Sequence, residues 1–530
     1  MSIAHPDKDP LRYDALGLWN LYFIAKFILF FRGNIEFHVL ENATFVFFLL
    51  IPTNLRVLRT LKTVTAIVLA SLLLHYDSYL PPLTRLILHS DLLTQFSFTY
   101  IIELVGRFIS WQFTLIIVLV FVTYTLLVKW IRFTTISVLG ITIIAVANLP
   151  QSDSTDTAVA MTKTTNTVID SSIATVEESL TRFYQEQSNL MTSFPSQFKG
   201  ADFDVVLLNI CSLAWADINK SNLEFDSFFA KFDILFKNFS SAASYSGPAA
   251  VRVLQASCGQ RPYEELYDDN SAQCYLAENL RNLGFGVDFA MNHDGHFDNF
   301  LGLVQDKGKL NISLQSFNAA RVVQKAFDDS SIYSDIDVLD QWLASKETSQ
   351  TRSFFYYNSI SLHDGNQLIG KKRFSDSLKS YAVRSKLLIA DLNLFFKKLE
   401  QSRRNYMVMM VPEHGAFLGG DKMQIEGMRD IPNPAILNVP VGIKFFGPKL
   451  PVNRQQQIVI EPSSYLAVSE LVSRALKQDL FDGTLNLQFL VKDLPTTQMV
   501  GEHAGTRMQM FNGKPYIQLD DGEWMVYPGY

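Results

Sequence analysis

Residues 406–415, YMVMMVPEHG, set an unbroken apolar run directly against Glu413, His414 and Gly415. Such a short run, closed by Pro412 and a Gly-containing turn, reads as a strand buried on both faces that delivers its polar residues to a sheet edge. Five further segments share the pattern: FDVVLLNI at 203–210, FDILFKNF at 232–239, FGVDFAMN at 285–292, RSFFYYNSISL at 352–362 and VGIKFFG at 441–447. Stretches with helical spacing separate them. The alternation predicts an α/β domain with a mainly parallel sheet, whose ligands gather beyond the carboxyl ends of the strands. Polar groups fall at those ends: Cys211 closes the first strand, His293 the third, His363 with Asp364 the fourth, and Glu413 with His414 the fifth.

Toward the N-terminus the composition changes. Of the 530 residues, those before 150 carry the apolar runs FIAKFILFF (23–31), ATFVFFLLI (43–51), VTAIVLASLLL (64–74), FTLIIVLVFVTYTLLV (113–128) and TTISVLGITIIAVANL (134–149). Five runs in succession, without an obvious cleavage site, predict a membrane anchor rather than a signal peptide. Lys8 and Arg12, then Arg56, Arg59 and Lys62, then Lys129 and Arg132 belong on the cytoplasmic side. Five crossings then place everything after Pro150 outside, which is the periplasm of a Gram-negative cell. Arg32, Glu36 and His38 interrupt the pattern between the first two spans, and residues 76–110, with Tyr79, Pro81, Pro82 and the adjoining Trp111, suit the outer interface or a packed extracytoplasmic loop. The Ser/Thr/Asp-rich stretch from Gln151 to Ser172 reads as a linker, and VEESLTRFYQEQSNL (176–190) as an amphipathic helix. The expected divisions are an anchor at 1–150, a linker and helix at 151–200, and a catalytic domain at 201–530. A net charge of −6 without a basic run argues against nucleic acid as a partner.

Glu413 and His414 offer an oxygen and a nitrogen ligand side by side, and Cys211 offers a thiolate from another strand end. That set suits zinc (Zn2+) with one position left open. The blander reading is a capping carboxylate beside a buried histidine and a cysteine acting as a small hydrophobe. Of the three cysteines, Cys258 and Cys274 flank the polar loop GQRPYEELYDDNSAQ and form the expected disulfide, leaving Cys211 unpaired. Closing a loop of that size is worth roughly 3 kcal/mol. Ser246, in SYSGPAAVRVLQ (244–255), precedes Pro248 and a helical pattern, so helix amides and the positive end of the dipole would favour a phosphate or an alkoxide there. His363 could contact a phosphate or donate a proton, His293 and His296 do so less convincingly, and the planar Arg429 guanidinium matches phosphate oxygens. Asp364 and Asp430 read equally well as turn residues. Each feature alone also fits a plain cap or a surface ion pair.

Taken in order, NICSLAW (209–215), FKNFSSAASYSGPAAVRVLQASCGQ (236–260), SLHDGN (361–366), VPEHG, GMRDIPNP (427–434) and PVGIKFFG (440–447) resemble the BcsG family. These are bacterial cellulose phosphoethanolamine transferases of the alkaline phosphatase and sulfatase-like superfamily. The resemblance extends to GLWNLYFIAKF (17–27) and the anchor. It implies that Ser246 is the nucleophile, that Cys211, Glu413 and His414 join Ser246 as zinc-binding positions, and that Cys258 and Cys274 are bridged. It implies an active-site place for His363, Arg429 and Tyr245. Against the wider superfamily, Cys211 stands where an acidic ligand is usual, Ser246 where Thr is, and Glu413 where Asp is, which argues against a second metal. The implied donor is phosphatidylethanolamine, the acceptor is the cellulose glucosyl 6-hydroxyl, and the implied company is the cellulose synthase complex in the bacterial inner membrane. A phosphatase, sulfatase or phosphoglycerol transferase could use the same groups. A non-catalytic scaffold of the secretion complex would need none of them.

Overall fold

The computed structural model describes residues 15–53, 55–80, 96–108, 111–147, 175–198, 200–222, 226–316, 319–347, 349, 351–372, 374 and 376–528. Lys8, Arg12, Pro81, Pro82, Pro150 and the 151–172 linker lie outside them. The chain divides into two compact units, one of residues 1–87 and 101–167 and the other of residues 88–100 and 168–530.

In the first unit, helices Trp19–Phe31, Val39–Leu50, Arg56–Asp77, Trp111–Leu127 and Phe133–Ala147 fall on the five apolar runs. Among the described residues, Arg56–Asp77, with 22 residues, is the helix long and apolar enough to cross a membrane. Phe23, Phe45, Ala66, Ala70 and Ile141 pack together in its core. Some of the polar residues within the apolar pattern find partners there. Lys26 pairs with Asp77 and donates to Asn42 Oδ1 at 2.7 Å, and His38 Nδ1 lies 2.8 Å from Asp77.

The second unit is built on a seven-stranded sheet, ordered Gln457–Val459, Ile234–Phe236, Val441–Phe446, Asn405–Met410, Phe203–Ile210, Ser353–Ser359 and Gly286–Met291. All six expected strands are present. Phe203–Ile210 pairs in parallel with both neighbours, Val205 lying opposite Phe354 and Met407. Val441–Phe446 runs against both of its neighbours, which makes the sheet mixed but mostly parallel. Side chains alternate across the central strand: Val205 and Leu207 enter one core, Val206, Leu208 and Ile210 the other. Each such buried side chain contributes about 1.5–3 kcal/mol.

Helices Asp335–Glu347 and Ser377–Gln401 supply Trp342, Leu388 and Phe395 to one face, and Ser246–Leu254, Leu276–Asn282 and Tyr465–Lys477 cover the other. The amphipathic helix forms over 175–187, with Val176, Leu180 and Phe183 packed on Val500 and Trp524. The seventh strand, the three-stranded sheet and the four-stranded antiparallel sheet at residues 500–526 were not expected from the apolar runs. Their strands are only two to six residues long and mix apolar with polar residues, so they carry little of that signal.

Candidate active site

Because Phe203–Ile210, Ser353–Ser359 and Asn405–Met410 are parallel, their carboxyl ends share one edge and the residues beyond them converge. Cys211, Glu413 and His414 each offer a ligand atom there, all within 4.8 Å of one another and all buried. Ser246 arrives from the start of its helix, with Oγ 3.4 Å from Cys211 Sγ and 3.2 Å from His414 Nε2. Tyr245 holds the N-cap position of that helix and no side chain caps it. The Ser246 hydroxyl therefore faces the cluster instead of the helix amides.

The donor set fits a cation. His414 Nδ1 lies 2.9 Å from the Gly415 carbonyl, which can only accept. Nδ1 therefore carries the proton, and Nε2 turns a lone pair toward Cys211 and Ser246. Glu413 Oε1 accepts from Asn358 Nδ2 at 2.5 Å, whereas Oε2 is buried without a hydrogen-bond partner among the described residues. Burial, then the Glu413 charge, pushes the Cys211 thiol up to about 12, and burial pushes Glu413 up to about 7. Burial, then Arg429, holds His414 well below the usual imidazole range. In the chain alone these groups resist charging, and a divalent ion would reverse that preference for the two acids.

The turn that carries the pair is pinned on both sides. Asp217 accepts the Ala416 and Leu418 N–H groups at 2.6 and 3.1 Å. A Cβ on Gly415 would come within 2.8 Å of Ala214 Cβ and 2.9 Å of Asp217 Oδ2, so only glycine fits.

Beside the cluster stands an anion-seeking group. Arg429 is 5 % exposed, and its Nε and Nη1 are buried without hydrogen-bond partners among the described residues. Its guanidinium carbon lies 5.5 Å from the Tyr245 ring centroid, and that ring stacks on His503 at 4.2 Å. His363 is close enough to Arg429 and His414 for their charges to act on one another. Its Nδ1 lies 2.8 Å from the Asp364 carbonyl, so Nε2 is the lone-pair nitrogen. Burial, then Arg429, pushes this imidazole down to about 4.

Arg384 donates to the carbonyls of Ser361 and His363 at 2.9 and 2.8 Å, and Tyr100 donates to Asp364 at 3.1 Å. His296 lies apart from the cluster, exposed between Asp294 and Asp328. His293 is buried and bonded to Asn358. Cys258 and Cys274 form the disulfide, and Cys211 is free and buried. Sequence reasoning passed over Asn358, Arg384, Asp217 and His503. The signal for Asn358 was present: a lone amide within a fully buried strand needs a partner.

Comparison with known proteins adds the lineage. A family model described as the cellulose biosynthesis protein BcsG C-terminal domain matches residues 159–524, and the BcsG N-terminal domain model matches residues 19–146. The cellulose biosynthesis protein BcsG of Salmonella typhimurium LT2 is 37 % identical, covering 97 % of this chain and 96 % of that protein. Its Escherichia coli K12 counterpart is 36 % identical over the same shares. Among solved structures, an alkaline phosphatase superfamily protein from Vibrio parahaemolyticus is similar at 13 % identity and TM-score 0.47, covering 66 % of this chain and 88 % of that one. The C-terminal periplasmic domain of phosphoethanolamine transferase EptC from Campylobacter jejuni is similar at 11 % identity and TM-score 0.37, covering 56 % and 97 %. With both halves matched and relatives aligned almost end to end, the chain belongs to the BcsG family of cellulose biosynthesis proteins.

Proposed function

We propose that this chain transfers phosphoethanolamine from phosphatidylethanolamine to glucosyl 6-hydroxyls of cellulose through a covalent Ser246 ester. The observation that carries the reading is the Arg429 guanidinium, buried with Nε and Nη1 unpartnered near a serine whose hydroxyl faces a ligand cluster. Two buried guanidinium nitrogens left without partners are costly unless an anion completes them, and a phosphodiester is an anion with matching geometry. Cys211, Glu413 and His414, with Ser246, would hold zinc, and the bound ion would supply the Lewis acidity that makes the serine hydroxyl nucleophilic.

The residues then divide the work. Ser246 Oγ attacks phosphorus, the bond from phosphorus to diacylglycerol oxygen breaks, and diacylglycerol leaves with the serine proton. Arg429 holds the non-bridging oxygens as their charge grows. In the second step the glucosyl hydroxyl attacks the same phosphorus, His363 Nε2 accepts its proton, and the serine oxygen is released and reprotonated. Tyr245, stacked on His503 and beneath the Arg429 guanidinium, helps to hold that group at the site. A five-span anchor in the bacterial inner membrane, with this unit in the periplasm, would keep the site near a lipid donor and a polymer leaving the same membrane. The anchor is also the part expected to meet cellulose synthase complex subunits.

The test is intact-mass analysis of the purified full chain mixed with phosphatidylethanolamine vesicles. A phosphoethanolamine adduct on Ser246, discharged by added cello-oligosaccharide, is expected. An adduct that water discharges equally fast makes the protein a hydrolase, and no adduct on Ser246 overturns the serine mechanism.

A further inference from the structure

Four neighbouring strand ends are joined by a buried polar chain, of which the proposed reaction uses only Glu413. His293, after strand Gly286–Met291, accepts the Gly295 N–H on Nδ1 at 3.2 Å. Its proton is therefore on Nε2, which lies 2.8 Å from Asn358 Oδ1. Bonded in that way, the Asn358 amide has only one orientation. Its Nδ2 faces Glu413 Oε1 at 2.5 Å and Asn209 Oδ1 at 3.2 Å. Asn209 is itself held, accepting the Tyr356 hydroxyl at 2.8 Å and donating to the Val411 carbonyl at 2.8 Å. Asn209, Asn358 and Glu413 are fully buried and His293 is 6 % exposed, so water cannot substitute for a missing link. The opposite flip of Asn358 would set its oxygen against a carboxylate and its amide against an N–H.

We infer that His293 and Asn358 are positioning residues for the metal ligand Glu413: together they clamp Oε1 and leave Oε2 as the oxygen presented to the ion. This rests on the metal-site reading above. A carboxylate free to rotate would offer either oxygen and would have to be ordered when the ion binds. One clamped by a rigid amide is ordered beforehand, and loss of such outer contacts typically weakens metal binding about 10–100-fold. His293 acts through Asn358, so the two contributions belong to a single path.

The experiment measures zinc affinity of the full-length, detergent-solubilised chain by competition with a chromophoric chelator, alongside the visible spectrum of the cobalt-loaded protein and thermal unfolding of the metal-free form. Asn358→Leu should weaken zinc about 10–100-fold and shift the cobalt bands. His293→Phe should weaken it in the same direction, and His293→Gln, which can still donate to Asn358, should recover part of the loss. The double variant His293→Phe/Asn358→Leu should be no weaker than Asn358→Leu alone, because both act on one carboxylate. Losses that multiply in the double variant overturn the relay. So does His293→Phe with unchanged zinc affinity and cobalt spectrum, whatever its effect on metal-free unfolding. If Asn358→Leu does not fold, the His293→Phe and His293→Gln pair decides alone. Failure of the metal reading looks different: the parent chain then takes up no zinc, or binds it as tightly after His414→Ala.

Discussion

Ser246 Oγ lies 3.2 Å from His414 Nε2, while the other nitrogen of that imidazole is committed to the Gly415 carbonyl at 2.9 Å. One lone pair is thus aimed at the space the serine oxygen borders, and removing either group has a distinct signature. Ser246→Ala should abolish the phospho-enzyme and transfer yet keep zinc affinity within about tenfold, because Cys211, Glu413 and His414 remain. His414→Ala should lose zinc and activity together. Zinc stoichiometry beside adduct formation checks both, and wild-type transfer by Ser246→Ala would require a metal-bound water to act directly on the ester.

Arg429 sets function against stability. Its buried Nε and Nη1 lack partners in the chain alone, so Arg429→Met, which fills similar space without charge, should raise the unfolding temperature of the substrate-free protein. The same change should cut adduct formation about 10²–10³-fold, the usual cost of deleting a preorganised group at a developing charge. Arg429→Lys should recover only part of that rate, because an ammonium lacks the planar fork. Calorimetry and single-turnover mass analysis report the two halves separately, and a destabilised Arg429→Met would mean that the guanidinium is structural.

The strands and the ligand-bearing turns were legible because burial on both faces leaves long apolar runs, and the residues that end them are conspicuously polar. Cys211, Glu413 and His414 could each be placed at a strand end from the sequence. Their mutual approach could not, since register and crossover decide it: Leu208 lies opposite both Tyr357 and Met410, and nothing local in those segments encodes that alignment. Asn358, Arg384 and Asp217 were missed for a related reason. Each works through backbone or side-chain groups far away in sequence, as when Arg384 reaches the carbonyls of Ser361 and His363. The fate of Ser246 was half visible, because its helix start could be read but the direction of its hydroxyl could not.

The cysteines permit an accounting by mass. Thiol labelling of the non-reduced chain should find Cys258 and Cys274 bridged and Cys211 as the one free thiol, reactive only after chelation and partial unfolding because it is buried. Burial and Glu413 push that thiol up to about 12, so it is protonated at neutral pH without an ion. Zinc uptake at about pH 8.5, where Glu413 at about 7 is already ionised, should therefore release roughly one proton, that of Cys211. Calorimetry in buffers of different ionisation enthalpy measures it, and zero release would remove the thiolate from the ligand set.

Asp391 offers a pH test on a carboxylate outside the ligand set. Burial, then the neighbouring Asp335 charge, pushes its carboxyl up to about 6 from 3.8. A raised acid keeps its proton in the folded chain while the unfolded chain has lost it, so its contribution to stability falls as pH rises from about 4 to 6. Asp391→Asn keeps an acceptor for the Ile336 N–H and cannot ionise. The variant should unfold at the parent's temperature below pH 4 and above it beyond pH 6. Parallel curves for the two proteins would show that the pair of carboxylates carries no strain.

His363 decides which proton moves in the second step. With Nδ1–H directed to the Asp364 carbonyl and the imidazole pushed down to about 4, the resting side chain is neutral at pH 7 and offers Nε2 as a base. Any cation held by Cys211, Glu413 and His414 would press the same way, since like charge disfavours imidazolium. Discharge of the Ser246 ester to a sugar hydroxyl should therefore hold its rate down to about pH 5 and fall only as pH approaches 4. The stability sign is consistent: a histidine with a depressed folded value binds fewer protons than the unfolded chain between about 4 and 6.5, so its contribution is present above 6.5 and is lost on acidification. His363→Ala should keep zinc and form the Ser246 adduct at near the parent rate, then discharge it to cello-oligosaccharide about 10²–10⁴-fold more slowly, the range expected for a lost general base. Separate single-turnover measurements of adduct formation and discharge between pH 4 and 8 make the test. A variant slowed equally in both steps assigns His363 to holding the phosphoryl group, and one that loses zinc makes it a ligand.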